Sequence, residues 1–313
     1  MRFGAATVDG AVVVKKIEPL QLEFAMTSKT TWDVQNLIAI DTHVHVEPDV
    51  KDNAADAAAK KYFGNSGVTA DRDELAKYYR SRKIGCVVFS VDEQITGRPQ
   101  VPNDDVAAFA AANSDIVMAF ASVNPTRGAV AVKEAERLIA TGGFRGFKLH
   151  PPLMNFHAND KVAYPFYEVL NAAKMPVVFH TGHSGIGTGM PGGGGIRLKY
   201  GNPMDIDDVA VDFPDMPVIL AHPSFPWQDE AISVCLHKPQ VYIDLSGWSP
   251  KYFSPTLIQY ANSLLKHKML FGSDYPLITP DRWMADFEKI SIKDEVRPMI
   301  LRENAIRLFG LGA

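Results

Sequence analysis

Two histidines one residue apart, His43 and His45, close the apolar run Leu37-Ile38-Ala39-Ile40-Asp41. Side chains on a strand alternate between its faces, so both imidazoles project from one face where the strand ends. Two neutral imidazoles on one rigid element make half of a transition-metal site. A His-x-His pair is also ordinary strand polarity, but the pattern recurs. Pro176-Val177-Val178-Phe179-His180 ends in His180, with His183 in the following loop. Val218-Ile219-Leu220-Ala221-His222 ends in His222, and Met269-Leu270-Phe271-Gly272-Ser273-Asp274 ends in Asp274. Imidazoles plus one carboxylate suit Zn²⁺, Mn²⁺ or Fe²⁺ better than Mg²⁺ or Ca²⁺, which favour all-oxygen shells. Three or four such ligands with one open position make a catalytic rather than a structural site.

Residues so far apart in sequence meet only if the fold gathers strand ends. Short apolar, β-branched-rich runs occupy 37–41, 86–91, 116–122, 144–149, 176–180, 217–221, 240–245 and 268–272. Segments with helical spacing lie between most of them, at 104–113, 129–140, 164–174 and 254–266, and 294–311 reads as a closing amphipathic helix. Nearly all-apolar strands alternating with helices predict a parallel sheet covered on both faces. Eight units in roughly 270 residues predict an α/β fold, a (β/α)8 TIM barrel spanning 37–313, whose C-terminal strand ends share one mouth. A doubly wound sheet is the alternative, but its first strand usually leads into a Gly-rich phosphate loop, not into histidines. Residues 1–36 stand apart as an N-terminal arm or small hairpin, lying on the body or on a neighbouring subunit. Two long loops follow strands at the active end, 46–75 and 181–204, the second holding Gly192-Gly193-Gly194-Gly195. Both are candidate lids, against the simpler reading of surface insertions.

Composition sets the class. The chain has 313 residues, 46% hydrophobic and 22% charged, with a net charge of −4. That mild acidity gives no electrostatic reason to expect nucleic acid or a membrane surface as partner. No apolar run approaches the ~18 residues that span a bilayer. The N-terminus lacks the charged start and apolar block of a secretory signal. Cys86 and Cys235 sit in apolar contexts and read as buried reduced thiols rather than a disulfide. A cytoplasmic enzyme acting on a small molecule, as a homo-oligomer such as a dimer, is the expectation.

His-x-His on strand one, His on five, His on six and Asp on eight, with Gly272-Ser273-Asp274-Tyr275-Pro276 and Glu303-Asn304-Ala305-Ile306-Arg307-Leu308-Phe309-Gly310, resembles the amidohydrolase superfamily. Those last two motifs are similar to its amidohydrolase-related branch, which includes aminocarboxymuconate semialdehyde decarboxylase. The resemblance covers about residues 37–311 and implies roles. His43, His45, His180 and Asp274 would bind one divalent metal, zinc above manganese or iron. His222 would sit beside it as an acid–base group or an electrostatic stabiliser, with Asp274 sharing the proton traffic.

Lys148 has three readings. Gly146-Phe147-Lys148-Leu149-His150 ends strand four, and alternation places Lys148 and His150 on one face. A lysine inside the mouth needs a substrate anion, a structural partner, or carboxylation to bridge a second metal, as in binuclear members of the superfamily. His150, His183, Trp248 and Tyr275 are further substrate-contact candidates. Arg98 and Arg197 could grip a carboxylate in bidentate fashion or stay solvated. Asp244 and Ser246 leave strand seven, and Asn124 leaves strand three. Two reactions fit: hydrolysis of a small carboxylated lactone, ester or amide by metal-activated water, or non-oxidative decarboxylation of an aromatic or muconate-like acid. The strand-four lysine favours hydrolysis. A non-catalytic metal-binding barrel is the third reading.

Overall fold

The computed structural model describes residues 31–64 and 71–312. Eight strands follow in chain order: β1 (Ala39–His45), β2 (Ile84–Phe89), β3 (Val117–Ala119), β4 (Phe147–Leu149), β5 (Val177–His180), β6 (Val218–Ala221), β7 (Val241–Asp244) and β8 (Met269–Leu270). Each pairs in parallel with its sequence neighbours, β1 to β3 as one set and β4 to β8 as another. The sets meet at both edges. Ala121 bridges to Phe147 between β3 and β4, and Val44 to Tyr275 between β1 and the end of β8. The N–H groups of Thr42 and His45 donate to the carbonyls of Phe271 and Tyr275, and that of Asp274 donates to His43. These bonds close the ring expected of a TIM barrel.

The strands are apolar because helices cover one side and barrel packing the other. Among the helices, Ala129–Ala140 matches its expected span, and Asn103–Ala112 and Tyr164–Ala172 lie close to theirs. The expected 254–266 helix is shorter, Pro255–Ala261, because the chain turns at Asn262, whose amide bonds Ser291 and Lys293. The closing segment contains a π-helical turn, Met299–Glu303, ahead of the α-helix Asn304–Phe309. That wide turn leaves the Ile300 carbonyl accepting from Phe271 N–H, while the Asn304 amide donates to Lys266 and Met269. The final helix thereby fixes β8. Behind β7 and β8, the fully buried Trp283 stacks on Phe287 at 4.8 Å and donates its indole N–H to Leu245 at 3.0 Å.

Most of the arm expected at 1–36 lies outside the described residues. Residues 31–36 belong to the body instead. Trp32 is buried against Gly85, where any Cβ would stand 2.6 Å from the indole ring, and Arg302 donates to the carbonyls of Val34 and Leu37. Cys86 and Cys235 are buried free thiols. No helix among the described residues is long and apolar enough to cross a membrane.

Candidate metal centre and cavity

The β1 histidines owe their placement to an irregularity. Between Asp41 and Val44 the pairing with β2 advances three residues against two, an inserted residue that re-aims side chains. Asp41, fully buried, satisfies the displaced backbone: Oδ1 accepts from His43 N–H at 3.1 Å and Ser273 N–H at 2.9 Å. Its other oxygen accepts from Tyr79 at 2.8 Å and from the Ser273 hydroxyl. One carboxylate thus ties β1 to the end of β8. Burial pushes Asp41 up to about 7, against those four donors.

Nε2 of His43 lies 3.3 Å, and Nε2 of His45 3.2 Å, from Oδ1 of Asp274. The three residues offer ligand atoms within 4.8 Å of one another. Nδ1 of His43 pairs with the fully buried Asp244 at 2.8 Å. A second grouping of potential ligand atoms joins His43 to His222 and Asp244. Ser246 Oγ lies 3.0 Å from His43 Nδ1 and 2.9 Å from His222 Nδ1, and His222 Nε2 lies 3.0 Å from His180 Nδ1. His180 stacks on His150 at 3.8 Å, and its Nε2 is buried with no hydrogen-bond partner among the described residues. His222 and Asp274 both take left-handed backbone, φ 74° and 70°, which turns their side chains inward at a cost of roughly 1–2 kcal/mol each.

Charge in the site is unevenly spread. Burial works against ionising Asp244, but the His43 imidazole and Ser246 hold its carboxyl well below the ordinary range. Asp274 is likewise held low by His45 and His43, despite burial. Burial, reinforced by the Lys148 charge, keeps His43 at about 3. Burial also holds His150, His180 and His222 below the usual imidazole value, which favours the neutral form of these three rings. Lys148 is fully buried, with Nζ 3.2 Å from His43 Nε2 and 5.0 Å above the Phe89 ring. Burial lowers it to about 8, partly offset by Asp244 and Asp274.

His43, His45, Lys148, His180, His222 and Asp274 line a cavity of about 310 Å³ with His150, His183 and Trp248. Its roof is the helix α1 (Ala54–Phe63) from the first long loop, meeting the loop after β5. There Gly185 lies so close to Phe63 that a Cβ would stand 2.4 Å from the ring. Of the second candidate lid, 183–186 form the wall, while the partly exposed glycine run does not line the cavity. Part of the first, 65–70, lies outside the described residues.

The remaining candidates divide. His183 lines the wall, with Thr188 Oγ1 at 3.2 Å from its Nε2. His150 Nδ1 accepts from Leu153 N–H at 3.3 Å, leaving Nε2 as the donor of its neutral ring. Arg98 lines the cavity but is spent on Glu47, at 2.8 Å, and on Asp56 of α1. It fastens the roof rather than standing free for a substrate carboxylate. Arg197 is exposed, reaches Asn155 at 3.4 Å and lies outside the cavity lining. Tyr275 faces away from the lining, its ring packed on Tyr78 and Tyr79, because its backbone is committed to the β1 seam. Asn124 caps the turn at Thr126 and contacts no site residue in doing so. Glu47, Asp56 and α1 carry no signature that sequence reasoning could have tied to Arg98.

The donor set fits a transition metal. The imidazoles of His43 and His45 converge with the Asp274 carboxylate, and nearby the Nε2 of His180 is buried with no hydrogen-bond partner among the described residues. His43 shows the hydrogen-bonding of a metal-ligating imidazole, its far nitrogen anchored on a carboxylate.

A model of the family described as Amidohydrolase matches residues 40–311. No curated protein matches the chain. Among solved structures, an uncharacterised TIM-barrel protein from Bordetella bronchiseptica is 26% identical, with a TM-score of 0.70 over 87% of this chain and 98% of that one. A probable 2-pyrone-4,6-dicarboxylic acid hydrolase from Acinetobacter baumannii, with citric acid bound, is 18% identical, with a TM-score of 0.57 over 88% and 100%. A dihydroxybenzoic acid decarboxylase from Polaromonas, with manganese and 2-nitroresorcinol bound, is 16% identical, with a TM-score of 0.61 over 88% and 98%.

Proposed function

The chain belongs to the amidohydrolase family, an enzyme family that depends on metal, and on that premise we propose that it hydrolyses a small carboxylated lactone, ester or amide. The observation that carries this reading is Lys148, whose ammonium stands on the cavity floor beside His43 and forms no ion pair among the described residues. A buried cation with no carboxylate in direct contact, only the more distant Asp244 and Asp274, can take an anion from the ligand. Hydrolysis keeps the substrate carboxylate intact, so gripping it positions the reacting carbonyl without opposing the reaction. In decarboxylation the same grip would stabilise the group that must leave, raising the barrier.

His43, His45, His180 and Asp274 would hold the divalent cation, zinc foremost, with manganese or iron as alternatives. When bound, it supplies Lewis acidity toward a carbonyl and lowers the pKa of water toward ~7. Neutral His222 accepts a proton from the attacking water and passes it on, and the ionised Asp274 assists. Lys148 binds the carboxylate, while His150 and His183 offer hydrogen bonds and Trp248 an apolar wall. Closure of α1 over the cavity excludes bulk water from these groups.

Decarboxylation of a ring-bearing acid is the second reading. Favouring it are the aromatic walls, Tyr62, Phe63 and Trp248, and the dihydroxybenzoic acid decarboxylase among the structural neighbours. Purified protein with Zn²⁺ or Mn²⁺ is to be offered lactones and hydroxybenzoates in ¹⁸O-water, with acid and CO₂ monitored separately. Acid release with ¹⁸O in the product supports hydrolysis. Evolution of CO₂ without ¹⁸O uptake sinks it. A carboxylated Lys148 bridging a second metal would instead show two metal equivalents per chain and a bicarbonate requirement.

A further inference from the structure

The roof of the cavity is held by few side chains. Five of the ten residues of α1 are alanine, and the two buried ones, Ala55 and Ala59, bring little apolar area to the body. Tyr62 is 46% exposed. Phe63 is the large apolar side chain by which α1 packs on the core. Polar contacts fasten the two ends of the helix. Arg98 holds Asp56 near its start, and Arg282 donates to the Phe63 carbonyl at 3.3 Å at its finish.

Where the Phe63 ring lands is decided from the other side of the mouth. Gly185 stands in the loop after β5, and an added Cβ would lie 2.4 Å from Cε2 and 2.6 Å from Cζ of that ring. The backbone of Gly185 is not left-handed, so conformation alone does not call for glycine there. The close approach of the ring does. Phe63 and Gly185 both line the cavity, with His183 and Ser184 beside them. Tyr62 extends the contact, its ring 5.0 Å from Phe63 and 5.9 Å from His183. The cavity so covered, about 310 Å³, is at the small end for a ligand site.

We propose that Gly185 is a specificity-determining residue: its bare backbone lets Phe63 seal α1 over the cavity, so that the ring sets the outer limit on substrate size. A methyl group at 185 meets the far end of a flexible side chain rather than backbone, so the ring swings aside and the fold survives. The roof then stands ajar, and the distal end of a bound acid gains room. Phe63→Leu removes the ring atoms that reach Gly185 and makes a similar opening without crowding. The proposal rests on the reading of the cavity as the site of a carboxylated substrate, but not on which reaction follows.

The test needs no turnover. Hydrogen exchange over 54–63 is followed by mass spectrometry on the full chain supplied with Zn²⁺, for wild type, Gly185→Ala, Phe63→Leu and the double variant. Calorimetry measures binding of benzoate and of 4-phenylbenzoate, which carry one carboxylate each and differ by a ring. Wild type is expected to protect α1 and to bind benzoate alone. Gly185→Ala should lower that protection about 10- to 100-fold, the penalty of overfilling a packed contact, and both single variants should admit 4-phenylbenzoate. In the double variant the shorter side chain makes room for the methyl group, so protection recovers toward wild type. Unchanged protection in Gly185→Ala, or a loss that the double variant does not relieve, overturns the proposal. So does a wild type that binds both acids, or single variants that still refuse the longer one. Should Gly185→Ala not fold, Phe63→Leu decides by the same two readouts. If neither acid binds any of the four proteins, the carboxylate reading of Lys148 falls and exchange alone decides: a drop in Gly185→Ala that the double variant reverses supports the seal, and no drop overturns it.

Discussion

Asp244→Asn is the sharpest perturbation of the centre because it changes one atom's chemistry and leaves shape intact. Asp244 receives two donors on its two oxygens, His43 Nδ1–H and Ser246 N–H, both at 2.8 Å and both buried. An asparagine has one acceptor oxygen and one donor nitrogen, so it satisfies only one of them. The other becomes a buried donor facing a donor, worth about 1–3 kcal/mol. The ring escapes by moving its proton from Nδ1 to Nε2, which removes the lone pair facing His45 and Asp274. Metal affinity is expected to fall about 10- to 100-fold, the loss typical when an anchor of a ligating imidazole is removed. Competition with a chromophoric chelator measures it, and a circular dichroism spectrum superimposable on wild type shows that the fold persists. Undiminished zinc and manganese affinity in the folded variant would refute the assignment of His43 as a ligand held by Asp244.

The other predictions concern separate parts of the molecule. His222→Asn is expected to retain metal and lose turnover, whereas Asp274→Ala loses both; elemental analysis beside an activity assay separates the two roles. Lys148→Met should raise KM for a carboxylated substrate about 10- to 100-fold, the loss of one charge-assisted hydrogen bond, and spare its uncharged analogue in steady-state kinetics. Arg98→Met leaves Glu47 and Asp56 without their shared cation and is expected to loosen α1, read as faster proteolytic nicking within 46–63. Trp283→Ala removes a fully buried indole from behind β7 and β8 and should cost about 3–5 kcal/mol in denaturant unfolding.

Much of this arrangement was legible in the chain because parallel-barrel strands are written as apolar runs. The eight runs fell on the eight strands, and His45 and His180 end β1 and β5, while His222 and Asp274 lie just past β6 and β8. Less legible was whatever depends on backbone detail. The extra residue between Asp41 and Val44 has no sequence mark, yet it aims His43. Arg98 and Arg197 look alike as mouth-loop cations. Only the fold shows that one is neutralised by two carboxylates while the other points to solvent. Tyr275 adjoins Asp274 in sequence, but consecutive residues face opposite ways, and its ring joins the aromatic group with Tyr78 and Tyr79. The break of the closing helix into a π-turn follows from hydrogen bonds to β8 that no periodicity reveals.

Asp41 grips Ser273 across the join between the first strand and the last, although the two stand 232 positions apart in the chain. On the proposed ligand set, a growing polypeptide still on the ribosome exposes His43 and His45 long before Asp274 exists. Until the last strand emerges and docks, those imidazoles would lack their carboxylate. Under that reading, selection of the proper ion would belong to the end of synthesis, and a prematurely stopped product would be barren even if most of its strands had folded.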